Sequence, residues 1–186
     1  MERPTRQRAA FREAILSGFA ALLLCVPGAA ANAATGHAHQ HGTAELEVVL
    51  EGDTLGVSLQ VPLDSLLGFE RAPRTERERA QAKAVLERMR GVGQLLEPDA
   101  AAACVPAAPA VTADVLTGQA RVAGEHAELQ AQVSYRCARP AQLKRIRVGL
   151  FEVFPRIQRI NARWATPAGQ GKAVLRPAAP VFVLQR

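Results

Sequence analysis

The segment TAELEVVLEGDTLGVSLQVP, residues 43–62, decides the fold of this chain. Its apolar residues occupy alternate positions on both sides of a polar break at 51–54: Leu46, Val48, Leu50, Leu55, Val57, Leu59 and Val61. Because successive side chains of a strand point to opposite faces, this alternation gives each strand one apolar face. The segment therefore predicts a β-hairpin with one buried face, which attaches the residues before it to the edge of a sheet.

Further strands and a helix follow the hairpin. Apolar alternation or short apolar runs predict strands at 127–135, 146–150, 160–164, 174–175 and 181–184, and a short strand at Cys104 in an alanine-rich and proline-rich loop. A helix begins after the capping box of Thr75 and Glu78, carries the apolar stripe Ala82, Val85, Leu86 and Met89, and stops at Gly91 and Gly93. The sequence predicts six or seven strands in a single α+β domain, 44–186, with a mostly antiparallel β-sheet or sandwich and one long amphipathic helix.

The first 33 residues resemble a secretory leader. Four arginines precede an apolar run at 14–26, which is followed by the helix breakers Pro27 and Gly28 and by Ala31, Asn32 and Ala33. This order is typical of a signal peptide, and the run is too short for a transmembrane helix. We predict cleavage after Ala33, export to the periplasm and no transmembrane segment in the mature chain. Lipidation at Cys25 is an alternative, against which bulky Leu24 argues.

Composition and cysteine usage indicate which partners are not expected and whether the cysteines are oxidised. The chain has 23 basic and 17 acidic residues, but four of the arginines lie in the leader and the rest are dispersed, so nucleic acid is not an expected partner. The mature chain retains two cysteines, Cys104 and Cys137. An exported protein with an even pair of cysteines usually oxidises them, which predicts a Cys104–Cys137 disulfide.

Three histidines, His37, His39 and His41, lie in a tail at 34–43 just before the hairpin. Imidazole nitrogens are common zinc ligands, and alternate residues of an extended segment point to one side, so the three can face one ion. The alternative is a solvated end that is merely rich in histidine. Copper or nickel is a second option for the metal, because cleavage after Ala34 would create a free amine with histidine third, although Asn32 argues against that cut.

The fourth histidine, His126, lies between Glu125 and Glu128 at the start of a predicted strand. It is either a polar residue at a strand end or an additional ligand with carboxylates nearby. Catalytic patterns are missing from the sequence: it has no glycine-rich phosphate loop, no CxxC pair and no paired catalytic carboxylates. The histidine run lacks the aspartate of a hydrolase HxHxDH motif, so we expect no enzyme activity.

Five motifs occur in a particular order along the chain. They are His-x-His-x-His-Gly-x-Ala-Glu-Leu at 37–46, Gly-Phe-Glu-x-Ala-Pro at 68–73, a lone cysteine at 104, Tyr-x-Cys at 135–137, and Leu-Phe-x-x-Phe-Pro at 150–155. This combination resembles the ZrgA-like family of zinc-regulated periplasmic proteins over essentially the whole mature chain. The resemblance implies a non-enzymatic periplasmic protein that binds zinc and assists its uptake, alongside a zinc ABC transporter and its solute-binding protein.

One segment departs from the family pattern. The family carries a long run of His, Asp and Glu before the Tyr-Cys strand, whereas residues 111–126 here read VTADVLTGQARVAGEH, with one histidine. This leaves His37, His39 and His41 as the transferable ligands and His126 as a remnant. The main hypothesis is a zinc-binding accessory of uptake, and the alternative is a protein-interaction module of the same fold that has lost most of its metal-binding capacity.

Overall fold

The computed structural model describes residues 40–117 and 127–184. Its strands are β1 Thr43–Glu51, β2 Thr54–Pro62, β3 Leu96–Pro98, β4 Cys104–Pro106, β5 Ala110–Thr112, β6 Glu128–Cys137, β7 Arg145–Val148, β8 Arg159–Thr166, β9 Gly169–Leu175 and β10 Val181–Val183. Its helices are α1 Leu63–Leu67, α2 Glu76–Met89, α3 Val92–Leu95, α4 Asp114–Thr117 and α5 Leu150–Val153. The predicted leader, the tail up to residue 39 and His126 lie outside the described residues.

Strands β1 and β2 form the predicted hairpin, with Leu46 opposite Leu59 and Val48 opposite Val57. The hairpin lies in the middle of a seven-stranded sheet of order β4-β6-β2-β1-β8-β9, in which β5 also pairs with β6. The prediction that the hairpin holds the tail at a sheet edge is therefore wrong, because β8 covers the other side of β1. The β1–β8 pairing is parallel, so the sheet is mixed rather than uniformly antiparallel.

A second sheet of three antiparallel strands has the order β10-β7-β3. Buried residues of both sheets belong to one hydrophobic cluster, which also includes Val85 and Met89 of α2. Tyr135 of β6 links the two sheets, since its buried hydroxyl lies 2.9 Å from the carbonyl oxygen of Gly93 and 3.0 Å from that of Leu96. Desolvation raises the pKa of this phenol, which therefore stays neutral and donates a hydrogen.

Helix α2 begins as the sequence predicts. The Thr75 hydroxyl accepts a hydrogen bond from the Glu78 backbone N–H, and the Glu78 carboxylate accepts one from the Thr75 backbone N–H. The helix ends at Met89, but Gly93 does not terminate it, because Gly93 lies inside the short helix α3. None of the helices in the described ranges is both long and apolar enough to cross a bilayer.

The strand prediction needs two corrections. The described part of the chain has ten strands rather than six or seven. Strands β3 and β5 are the two without a sequence prediction, because they contain three residues each and are too short to show a clear alternation. Leu150 continues the apolar spacing of Ile146 and Val148 but begins α5 instead of extending β7. The Leu150 side chain is fully buried. A buried leucine at this spacing is compatible with a strand and with the start of a helix, so the spacing alone does not distinguish them.

Candidate metal site

The topology brings the tail and helix α1 together. Since β1 and β2 are antiparallel, the start of β1 lies beside the end of β2, and α1 follows β2 without a linker. His41 and Gly42 immediately precede β1, and the Thr43 backbone N–H donates to the Gln40 carbonyl at 2.9 Å to form a turn there. The last residues of the tail therefore lie against the first turn of α1.

His41 forms a short hydrogen bond with Asp64 of α1. The Nδ1 atom of His41 lies 2.6 Å from Oδ2 of Asp64, and the two side chains are 70% and 27% exposed. The hydrogen bond and charge of Asp64, together with a smaller effect of the Glu70 charge, raise the pKa of His41 above its ordinary value. A carboxylate accepts hydrogen bonds only, so Nδ1 carries a hydrogen and the Nε2 atom of the neutral ring keeps its lone pair. That atom is the one available to a metal.

Gly42 fixes the backbone from which His41 projects. Its N–H donates to the Ser65 hydroxyl at 2.9 Å, and its carbonyl accepts from the backbone N–H groups of Gln158 and Arg159 at 2.8 and 3.0 Å. Its φ of 75° is one that glycine adopts without strain, and a Cβ atom here would lie 3.3 Å from the Arg156 carbonyl oxygen. The tail therefore enters the folded body at one defined point.

The segment 68–73 begins with Gly68, the C-cap residue of α1, and leads toward α2. The Gly68 N–H donates to the Asp64 carbonyl at 2.8 Å. Three residues later, the two terminal nitrogens of Arg71 donate to the carboxylate of Glu78 at 3.0 and 2.7 Å. This pairing is the largest of the effects that lower the pKa of Glu78 to about 2, so the carboxylate stays ionised and continues to cap α2. The segment thereby holds Glu70 close enough to influence His41.

Of the four histidines predicted as ligands, His41 is described, whereas His37, His39 and His126 lie outside the described residues. The described ranges contain no group of three or more His, Cys, Asp or Glu side chains placed to hold a metal. Ala127, the residue after His126, accepts a hydrogen bond from the Leu63 N–H at 2.8 Å. Since Asp64 follows Leu63, the backbone at residue 127 is attached to the same helix that binds His41.

Asp64 could not be identified from the sequence, because its role depends on a contact with a residue 23 positions away. Nothing in the local sequence around 64 separates it from other acidic residues in the first turn of a helix. The only available hint is the antiparallel register of the hairpin, which places the end of β2 beside the start of β1. Continued two residues beyond Thr43 and Pro62, the ends of the two strands, this register places His41 opposite Asp64.

Cys104 and Cys137 form the predicted disulfide, as directly opposed partners in β4 and β6. The Cys137 N–H donates to the Asp53 carbonyl in the β1–β2 turn, at the far end of the hairpin from α1. A nine-residue strand rising about 3.3 Å per residue separates the two ends by about 25–30 Å. The cysteines are therefore structural and do not belong to the histidine site.

A comparison with protein-family models matches residues 38–184 to the ZrgA family zinc uptake protein. The matched range covers most of the chain and includes His39, His41, Asp64, the disulfide and every strand described above. No curated protein sequence matches the chain.

Proposed function

The chain belongs to the ZrgA family of zinc uptake proteins, and from this premise we propose that it is a non-catalytic, exported accessory protein that binds zinc through its N-terminal histidines. The observation that carries the proposal is the His41–Asp64 contact, in which one ring nitrogen is held by a carboxylate and the other is left for a metal. Zinc-binding histidines commonly have such a carboxylate partner on the second nitrogen.

His37 and His39 are the proposed partners of His41 in binding one ion. Three histidines at alternate positions share one side of an extended segment, and zinc accepts three protein ligands together with one exchangeable position. We propose His126 or water for that fourth position, because residue 127 is hydrogen-bonded to the helix that holds His41. An open site of this kind binds zinc more weakly than a closed four-ligand site, which suits a protein that passes its ion to another.

The proposal also includes export of the protein to the periplasm and a partner that receives the zinc. The signal-peptide pattern at 1–33 supports export, and the disulfide suits an oxidising compartment such as the periplasm. The proposed recipient is the solute-binding protein of a zinc ABC transporter. In this account zinc is the cargo, and the folded domain serves to hold the histidine tail and to present it to the recipient.

Zinc-limited growth tests this function. Cells that lack the chain should grow poorly when zinc is chelated, and the wild-type chain should restore growth. A variant with alanine at 37, 39 and 41 should fail to restore it although its disulfide and core are intact. Manganese limitation is the control, because the proposal predicts no difference there. Full restoration by the triple variant would contradict a role for these histidines in uptake.

The second candidate function is a protein-interaction module that has lost most of its metal-binding capacity. The segment 111–126, with its single histidine, favours this reading. The two candidates differ in zinc stoichiometry, because the interaction module would bind its partner without metal.

Zinc binding should weaken as the pH falls, and the decrease should begin above pH 6.5. Zinc needs the neutral imidazole, and the Asp64 hydrogen bond raises the pKa of His41, so protons compete at a higher pH than they would at a free histidine. Titrations between about pH 8 and about pH 5.5 should show falling affinity and proton release on binding. Constant affinity across this range would exclude histidine ligation.

A further inference from the structure

Two consecutive residues of α1 hold two consecutive residues of the tail. Asp64 binds the His41 ring at 2.6 Å, and Ser65 accepts a hydrogen bond from the Gly42 N–H at 2.9 Å. Ser65 is 1% exposed, so its hydroxyl lies inside the folded body. The pair therefore fixes both the ring and the backbone of the residue nearest to the proposed zinc position.

We propose that Asp64 is the positioning residue of the zinc site, since it selects Nε2 of His41 as the ligating nitrogen. A neutral imidazole has one N–H and one lone pair, and which nitrogen has which is set by the partner of the ring. With the Asp64 carboxylate on Nδ1, the hydrogen belongs on Nδ1 and the lone pair on Nε2. This inference rests on the proposed function.

Ser65 contributes by restricting the backbone. The Gly42 N–H and carbonyl are both bound, the carbonyl twice, so the peptide between His41 and Gly42 has little freedom to rotate. A ligand that is already oriented loses less conformational entropy when the metal binds. His41 is thus an oriented ligand around which the proposed site can assemble.

The charges around His41 are consistent with a divalent cation. Asp64 and Glu70 are the carboxylates that act on the ring. The nearby cation is Arg156, whose guanidinium lies over Gly68, with its central carbon 3.1 Å from where a Gly68 Cβ would be. Of these groups, Asp64 is the one hydrogen-bonded to the ring, and a carboxylate on Nδ1 makes the other ring nitrogen a better electron donor.

The tautomer of His41 can be measured directly in the wild-type chain. Nitrogen-15 NMR of the metal-free protein, above the pKa of His41, should find the hydrogen on Nδ1, and zinc addition should shift the Nε2 resonance. A hydrogen on Nε2 in the metal-free protein would overturn the inference. This measurement needs no substitution, so it stands even where a variant folds poorly.

Three variants test the effect on zinc affinity. D64A removes the carboxylate, and its zinc affinity should fall about 10–100-fold, the range seen when outer partners of ligating histidines are lost. D64N keeps an acceptor oxygen for Nδ1 and should fall between D64A and the wild type. D53A is the matched control, because Asp53 is an exposed aspartate that pairs with Arg136 at the far end of the hairpin, and its zinc affinity should stay within about twofold of the wild type.

The outcomes separate this inference from the proposed function. If alanine at 37, 39 and 41 abolishes zinc binding while D64A binds like the wild type, the positioning role of Asp64 is wrong and the histidine site remains. If the triple variant binds zinc like the wild type, the proposed site fails and the role of Asp64 fails with it. Loss of binding in D64A with the thermal transition and the D53A control unchanged supports the inference.

Discussion

V133D should abolish the cooperative unfolding transition of this protein. Val133 lies in β6, pairs with Val57 of the central hairpin and is 4% exposed. Its Cγ2 atom also approaches Gly93, where an added Cβ atom would come within 3.3 Å. A carboxylate at this position would lose its hydration without gaining a partner, which costs several kcal/mol in a domain whose net stability is about 5–15 kcal/mol. Circular dichroism and thermal melting should show no folded population.

The neighbouring residue provides the matched control. Gln132 lies on the opposite, exposed face of β6, so Q132D introduces the same side chain in the same strand without burying it. Its unfolding transition should stay within about 1 kcal/mol of the wild type. A folded V133D with an unchanged transition, or a Q132D that unfolds instead, would mean that the two faces of β6 are assigned in reverse.

Loss of the disulfide is expected to have the second largest effect. Cys104 and Cys137 are 33 residues apart, and closing a loop of that length stabilises the folded chain by about 3–4 kcal/mol on the chain-entropy model. The double variant C104A/C137A should therefore unfold at clearly lower urea concentration than the oxidised wild type.

Part of that loss could come from the missing sulfur atoms, because Cys137 is 1% exposed and packs in the core. The reduced wild-type protein separates the two effects, since it keeps both side chains and lacks the bond. It should lose most of the same stability. V105A, at a 68% exposed position in the middle of β4, should have little effect. If the oxidised and reduced proteins unfold within about 1 kcal/mol of each other, the bond contributes little to stability.

The sequence predicts those parts of the fold that depend on local pattern. The alternation of 43–62 identifies the hairpin and its buried face, and Thr75 with Glu78 identifies the start of α2. In each case the residues that produce the pattern are also the residues that make the contacts. Long-range pairing carries no comparable signal, and the parallel partnership of Val48 with Trp164 could not be read from either strand alone.

The candidate site shows the same difference between residues that a local pattern identifies and residues that only long-range contacts identify. His41 is visible in the sequence because histidines at alternate positions are a local pattern. Asp64 and Ser65 are not, because their roles arise only when the hairpin places α1 beside the tail. The correction of the sheet-edge prediction has the same cause. A strand's neighbours are set by the whole sheet, and β8 reaches β1 from more than a hundred residues further along the chain.

The position of the hairpin has a consequence for function. Since β1 is paired on both sides, by β2 and β8, the point where the tail joins the body is anchored in the centre of the larger sheet. The Gly42 carbonyl strengthens that anchor, since it accepts hydrogen bonds from the backbone N–H groups of Gln158, just before β8, and of Arg159, the first residue of β8. Under the proposed function, a histidine tail attached there would exchange its metal while its base stays fixed.

Calorimetry of a chain that begins at Ala34, after the predicted cleavage site, is the decisive test of zinc binding by the N-terminal histidines. The comparison is between the wild type and a variant with alanine at 37, 39 and 41, with Q40A as the control in the same tail. We predict about one zinc ion per wild-type chain, equal binding by Q40A, and loss of that binding in the triple variant. Equal zinc binding by the wild type and the triple variant would contradict it.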